Sequence, residues 1–465
     1  MPHLFLVAIA LSVTGAAPDS ATRALLDTAA AGMGGMQTLR AIQRVRVESI
    51  TEWQRLAMDD RQHPTVSSYE RSTEWRDYGV PAWRYTRNFA NGTGWQTVVD
   101  LVVDSVAAFH FGGKWAPQNV AYVDERNEWF ALNPDRVVVA AWSAVDARTL
   151  ADTTIGSRRL RRVRATINGA AATLHIGVTD GLLTLVTLRA AQPRDFGLAP
   201  WGVMDVAVWY SRWQRVSAMP ALTIPTQLDI FRAGHAYKRV TALGVQVNPD
   251  IPADTLAMPD SLRRAFMATG NKPMFDSPVD SAKIVDDHFA VFGTFGTPAG
   301  AVKVGGVWLM LDAGVAPLMI ERSAAFLARA DPGTPLIGAI LDQQNAQGGL
   351  AWLAQRKLKA WVTPGAKGYA DATRRGWSLP AGAITHVQPG TWIRVGTDSV
   401  RVETLDLPDA PRAGIVFVPS LRWAFASMAI GPVALERVQA LVRARHWDVA
   451  RVGVPRNVVG DLMPR

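Results

Sequence analysis

The chain has no cysteine in its 465 residues. Disulfides, thiolate nucleophiles, cysteine-ligated zinc and iron–sulfur clusters are therefore all excluded. The absence is neutral as to compartment, because a core of this size does not need disulfides. Long apolar runs are also missing. None reaches the ~20 residues that a membrane-spanning helix requires. Charged residues supply only 19% of the chain against 48% hydrophobic, a balance that suits globular folding and argues against disorder.

Histidine is sparse. His3, His63, His110, His175, His235, His288, His386 and His446 stand alone, with no two at the short spacings that build a metal-binding face. Neither H-E-x-x-H nor G-x-S-x-G occurs. His288 beside Asp286 and Asp287 reads as a surface residue, and lone histidines such as His386 and His446 usually satisfy a local hydrogen bond. Residues 293–300 are glycine-rich but lack the lysine of a phosphate-binding loop, so they read as a hairpin turn.

At this length two domains are expected, with room for three. The formal net charge is +9, carried mostly by scattered arginines. The densest cluster is Ser157-Arg158-Arg159-Leu160-Arg161-Arg162-Val163-Arg164. In a strand, alternation puts Arg159 and Arg161 on one face and Arg158, Leu160, Arg162 and Arg164 on the other. A solvated strand edge accounts for the cluster, and contact with anionic lipid or another polyanion is the alternative. No nucleic-acid-binding motif accompanies the charge, so nucleic acid is not an expected partner.

Residues 1–17 form a short apolar stretch ending in the small residues Gly15-Ala16-Ala17, the pattern of a secretory signal peptide. Its n-region has no lysine or arginine, and an uncleaved anchor is the alternative. No cysteine follows, which excludes a lipidated anchor. The expectation is an exported protein, periplasmic or secreted, that does not span a membrane once the signal is removed.

Residues 20–42 read as helix interrupted by Gly32, Gly34 and Gly35, followed by the alternating strand Val45-Arg46-Val47-Glu48-Ser49-Ile50. Short strands then dominate to about residue 258. Asn91-Gly92, Asn168-Gly169 and Asp180-Gly181 are hairpin signals, and one helical interlude is predicted over 134–150.

Gly34-Gly35-Met36-Gln37-Thr38-Leu39-Arg40-Ala41-Ile42 opens this half, and Trp209-Tyr210-Ser211-Arg212-Trp213, Leu222-Thr223-Ile224-Pro225, Val245-Gln246-Val247-Asn248-Pro249 and Leu256-Ala257-Met258-Pro259 close it. On these residues the half resembles the lipoprotein-carrier domain of outer-membrane lipoprotein-sorting proteins. The resemblance implies a curved antiparallel half-barrel closed by helices, with acyl chains on its concave face. Lipid or another apolar ligand is then the implied partner. Many of the 17 tryptophans fall here, among them Trp83, Trp95, Trp115, Trp129, Trp142, Trp201, Trp209 and Trp213. Most suit core or cross-strand packing, and the remainder would line an apolar groove.

The second half carries an apolar strand, Val307-Trp308-Leu309-Met310-Leu311, ending in Asp312-Ala313-Gly314. Pro335-Leu336-Ile337-Gly338-Ala339 follows as a strand, then Ile340-Leu341-Asp342-Gln343-Gln344-Asn345-Ala346-Gln347-Gly348-Gly349-Leu350, then a helix from Leu350. This arrangement resembles the metallo-β-lactamase superfamily, in which a strand ending Asp-x-Gly precedes T-H-x-H-x-D-H-x-G-G. Aligned on the glycine pair, Leu341, Gln343, Asn345 and Ala346 stand where that family keeps its first zinc ligands. Ser427 stands where a bridging aspartate is expected, and Asn457 where the last histidine falls. The hairpin from Asp406 to Val418 contains no histidine, and Asp406 and Asp409 read as turn residues. Leu and Ala cannot coordinate zinc, and neutral amides are poor ligands for it. What remains is the structural frame: Asp312, Gly348 and Gly349. The side chains of Gln343, Gln344, Asn345 and Asn457 would either line a polar pocket or fill a closed former site.

The whole is expected to be a two-domain α+β protein. Residues 1–17 are the signal, 18–259 the antiparallel half-barrel with helices, 260–280 a linker, and 281–465 an αββα metallo-β-lactamase-like sandwich. The function implied is a non-catalytic binding or scaffold role toward an apolar ligand or a protein partner, with no catalytic residue, no cofactor, and zinc lost with its ligands. A hydrolase using a non-standard centre is one alternative, and a carrier of lipid or another apolar ligand is the other.

Overall fold

The structure, a computed structural model, describes residues 18–54, 68–91, 94–195, 198–216, 219–270, 281–293, 299–314, 317–342, 347–407, 410–426, 432–453 and 461–462. The expected signal segment, 1–17, lies outside them. The described chain is mainly β, with shorter helices, in three sheets.

The first sheet has thirteen strands between Arg44 and Val247, all paired antiparallel. Its first six strands step outward in chain order to one edge. The last strand, His235–Val247, pairs with the first, Arg44–Trp53, and the remaining strands step back to the other edge at Arg148–Ile155. Period-2 alternation decides the inner face: along Arg44–Trp53, residues Val45, Val47, Ser49, Thr51 and Trp53 are buried.

Helices cover that face. Ser20–Gly32 begins where the Asp19 carboxylate accepts the Thr22 N–H at 2.6 Å, and it buries Leu25, Leu26, Ala29 and Ala30. The expected break falls at Met33–Gly35, before a second helix, Met36–Ala41. Gly34 has φ 115, and a Cβ there would collide with the Ala221 carbonyl, so glycine is required. The interlude predicted over 134–150 ends earlier, at Ser143, because Arg148–Ile155 is taken as the edge strand. A further helix, Ala121–Ala131, was not anticipated, since its apolar residues form no continuous stripe. Val123 and Trp129 nevertheless anchor it in the core, and the Arg126 guanidinium donates to the carbonyls of Pro81 and Asp104.

The passage read as a linker opens with a helix, Asp260–Ala265, and both Leu262 and Phe266 are buried in the first core. Residues 271–280 lie outside the described residues.

The second sheet has seven strands in chain order from Ser281–Asp286 to Thr385–His386, antiparallel at first and parallel from Val307–Leu311 onward. Ser281–Asp286 and Phe289–Gly293 form a hairpin, reversed at Asp287–His288 where Asp286 accepts the His288 N–H. The third sheet has six strands, from Thr391–Val395 to Asp461–Leu462. Val302, Leu309, Leu311 and Ile340 of the second sheet pack against Val395, Val402, Val416 and Phe425 of the third. Each fully buried side chain of this size contributes about 1.5–3 kcal/mol.

The outer face of the second sheet is covered by helices Pro317–Ala330, Leu350–Gln355 and Lys367–Gly376, and that of the third by Pro432–Ala444. The helix Lys367–Gly376 was also not anticipated. Its buried face is Tyr369, Ala370, Ala372, Thr373 and Gly376, too small and polar to announce itself. No described helix is long and apolar enough to cross a membrane.

Candidate functional site

The strands Val307–Leu311 and Leu336–Leu341 run parallel, so their carboxyl ends, with that of Lys359–Val362, come to one edge of the second sheet. Asp312 takes φ 70 there, and its Oδ1 accepts the Asp342 N–H at 2.8 Å. Gly348 donates its N–H to the Gly314 carbonyl at 3.0 Å. A Cβ on Gly349 would collide with the Ala313 carbonyl, which ties the glycine pair to the Asp312-Ala313-Gly314 turn. The three frame residues picked out by sequence thus belong to one constellation.

The positions aligned with zinc ligands fare differently. Leu341 is fully buried, with its side chain in the core between the second sheet and its helices. Gln343, Asn345, Ala346, Ser427 and Asn457, with Gln344, lie outside the described residues, as does Asp409.

Asp342, which sequence reasoning passed over, is the residue that joins the layers. It is 4% exposed, and its Oδ1 accepts the Thr363 hydroxyl at 2.6 Å and the Gly414 N–H at 2.7 Å. Gly414 lies on the third sheet, and a Cβ there would sit 2.7 Å from that same oxygen. Only its place between two strand ends could have pointed to it.

Zinc requires imidazole, thiolate or carboxylate donors converging on one point with a position left open. Here Leu341 faces away into the core, and an Asp342 oxygen is engaged by two protein donors. Among the described residues no three His, Cys, Asp or Glu side chains converge on a metal-sized site. The described donor set does not fit the group. His386 contacts Asp371 at 3.1 Å and His288 the Lys303 carbonyl at 3.2 Å, each a local partnership.

The inner face of the first sheet is the other place where chemistry gathers. Trp53, Trp83 and Trp129 are buried here, as core packing requires, but the face they border is polar. Glu70, Ser72, Glu74 and Arg76 alternate along Ser68–Asp77, and this polar face is the buried one. Glu74 accepts the indole N–H of Trp83 and of Trp129, each at 2.6 Å, and is bridged twice by Arg76. Burial alone would raise its pKa; the charges of Arg76 and Lys238 and the hydrogen bonds it accepts outweigh burial and hold it low. Glu70 accepts from Trp53, Tyr85 and Arg87. The Lys238 ammonium lies 4.3 Å from the Trp53 ring and 4.6 Å from the Trp129 ring.

Trp53, Trp83 and Trp129 each donate to a buried carboxylate. The void left beside Val45, Val47, Leu228 and Val247 is about 60 Å³, well short of the ~300 Å³ at which small-molecule pockets begin. Of the other tryptophans, Trp201 is in a core and Trp95 and Trp115 are exposed.

No family model matches the chain, and no curated protein is significantly similar to it. Among solved structures, the chain is similar to a metallo-β-lactamase from Pontibacter korlensis at 10% identity, over 37% of this chain and 89% of that one, with a TM-score of 0.29. It is similar to the DIM-1 metallo-β-lactamase at 12% identity, over 39% and 91%, with a TM-score of 0.30. A domain from Vibrio parahaemolyticus assigned to outer membrane lipoprotein sorting matches at 5% identity, over 52% and 98%, with a TM-score of 0.32. Both resemblances carried by the sequence therefore recur among solved structures.

Proposed function

We propose that the chain is an exported, non-catalytic binding or scaffold protein of two units, periplasmic or secreted. Residues 1–17 act as its signal. Residues 18–259 form a lipoprotein-carrier-like half-barrel, and 260–280 connect it to an αββα metallo-β-lactamase-like sandwich over 281–465. The sandwich keeps the superfamily's frame at Asp312, Gly348 and Gly349 and has given up its zinc chemistry. One observation supports this reading above the rest. The Asp342 carboxylate is buried and bonded to Thr363 and Gly414, with Leu341 turned into the core beside it. A strand end closed in this way ties two sheets together instead of presenting ligands. Lipid or another apolar molecule is the ligand class we favour for the binding role.

The test is metal content of the purified full chain after incubation with zinc or manganese and desalting, paired with hydrolysis of β-lactam and ester substrates. Metal near zero and no turnover above background are expected. Retention of about one or two ions per chain, as in an intact centre, would overturn the proposal and restore the hydrolase reading.

A further inference from the structure

We infer that the junction between the two units is a binding site for the single alkyl or acyl chain of an amphiphile. The helix Lys367–Gly376 meets the turn Ala199–Trp201 so closely that a Cβ on Gly202 would lie 2.8 Å from the Gly376 carbonyl carbon. Leu198, Trp201 and Met204 share a small core with Tyr369 and Ala372, and Tyr369 stacks on His235 at 5.0 Å. The contact is built from both units.

Beside it opens a cavity of about 430 Å³, walled by Ala191, Ala199 and Val203 from one unit and by Pro317, Leu318 and Trp377 from the other. That volume lies in the range of ~300–1,000 Å³ in which small molecules bind. None of the described wall residues is charged. The two side chains there with hydrogen-bonding groups are directed elsewhere. The Trp377 indole donates to the Pro200 carbonyl at 2.9 Å, and the Gln192 amide donates to Glu128 at 2.9 Å. Such a wall offers water little, and apolar cavities of this kind take apolar guests. Val203 and Trp377, at 40% and 38% exposed, leave their apolar surface open at this cavity.

A second cavity of about 370 Å³ shares Ala191, Gln192 and Pro193 with the first. It carries the Arg194–Asp124 ion pair together with Asn127 and Asn168, a polar setting for a head group. Chain at the junction and head in the neighbouring cavity is the arrangement the two walls fit. It names a place for the apolar ligand of the proposed binding role, and it does not depend on loss of the metal centre.

The test uses the full chain and dodecyl maltoside below its micelle concentration, followed by calorimetry, with Nile red displacement as a second readout. Saturable binding at one site per chain is expected. Leu318→Trp and Val203→Trp, which fill the cavity from opposite walls, should each weaken binding by about tenfold or more, equivalent to about 1.4 kcal/mol. Val80→Trp, at an exposed turn of the first unit, should leave it unchanged. Val203 is exposed, so its variant keeps the wild-type melting temperature and remains decisive if Leu318→Trp folds poorly. Absence of saturable binding to the wild type, or wild-type affinity in a folded Val203→Trp, would overturn the inference. Zinc retention would sink the non-catalytic reading without touching this one.

Discussion

Replacing Asp342 by alanine separates a structural tie from a ligand. The substitution removes the oxygen that accepts the Thr363 hydroxyl and the Gly414 amide, and Thr363 is fully buried. A buried donor left without an acceptor costs about 1–3 kcal/mol, so two of them cost roughly 4 kcal/mol together. For a unit of this size each kcal/mol moves Tm by about 2–4 °C, which places the expected drop near 10 °C. Asp342→Asn keeps an acceptor oxygen and loses only charge assistance, so about 1–2 kcal/mol is expected. Urea unfolding followed by circular dichroism, with and without zinc, reads both variants. A ligand that binds the native state raises the midpoint by mass action, and no such rise is expected in wild type or variant. If Asp342→Ala stays within about 1 kcal/mol of wild type, or if zinc stabilises the wild type and not the variant, the residue is not the tie described here.

Three further outcomes follow from the geometry. Glu74→Gln leaves the buried Arg76 without its countercharge, and a cost of about 3–5 kcal/mol should appear as a lower urea midpoint by tryptophan fluorescence. Gly34→Ala should cost more than Gly35→Ala in thermal melts. Both residues have positive φ, a penalty of about 1–2 kcal/mol, but only the first Cβ meets a carbonyl while the second meets open space. His175 is driven down to about 4 by burial and by the charge of Arg162. Its folded pKa lies below its unfolded value near 6.5, so the unfolded state takes up the proton first. Tm should fall as pH drops from about 6.5 to about 4, level off below, and lose that component in His175→Gln.

Much of the second half was legible locally. The helix from Leu350 and the strand ending in Asp312 are where the sequence puts them, and the glycine pair marked the turn that packs on Ala313. The helices Ala121–Ala131 and Lys367–Gly376 were not legible, because Arg126 interrupts the buried side of the first between Val123 and Trp129, and beside Tyr369 the second buries only small or polar residues. Asp342 escaped notice because a carboxylate in a loop reads as solvent-exposed until Thr363 and Gly414 are brought to it.

The same limit explains the polar interior and the junction. The alternation Glu70, Ser72, Glu74, Arg76 marks one face of a strand, yet nothing local says that this face turns inward. Trp53, Trp83, Trp129, Arg87 and Lys238 make its burial tolerable, and they arrive from four other elements. Local periodicity and turn chemistry were enough for most strands and several helices, because each depends on residues within a few positions of one another. Burial of charge, closure of the strand end and the apolar cavity depend on groups brought together from different elements, and those meet only when the sheets and helices have packed.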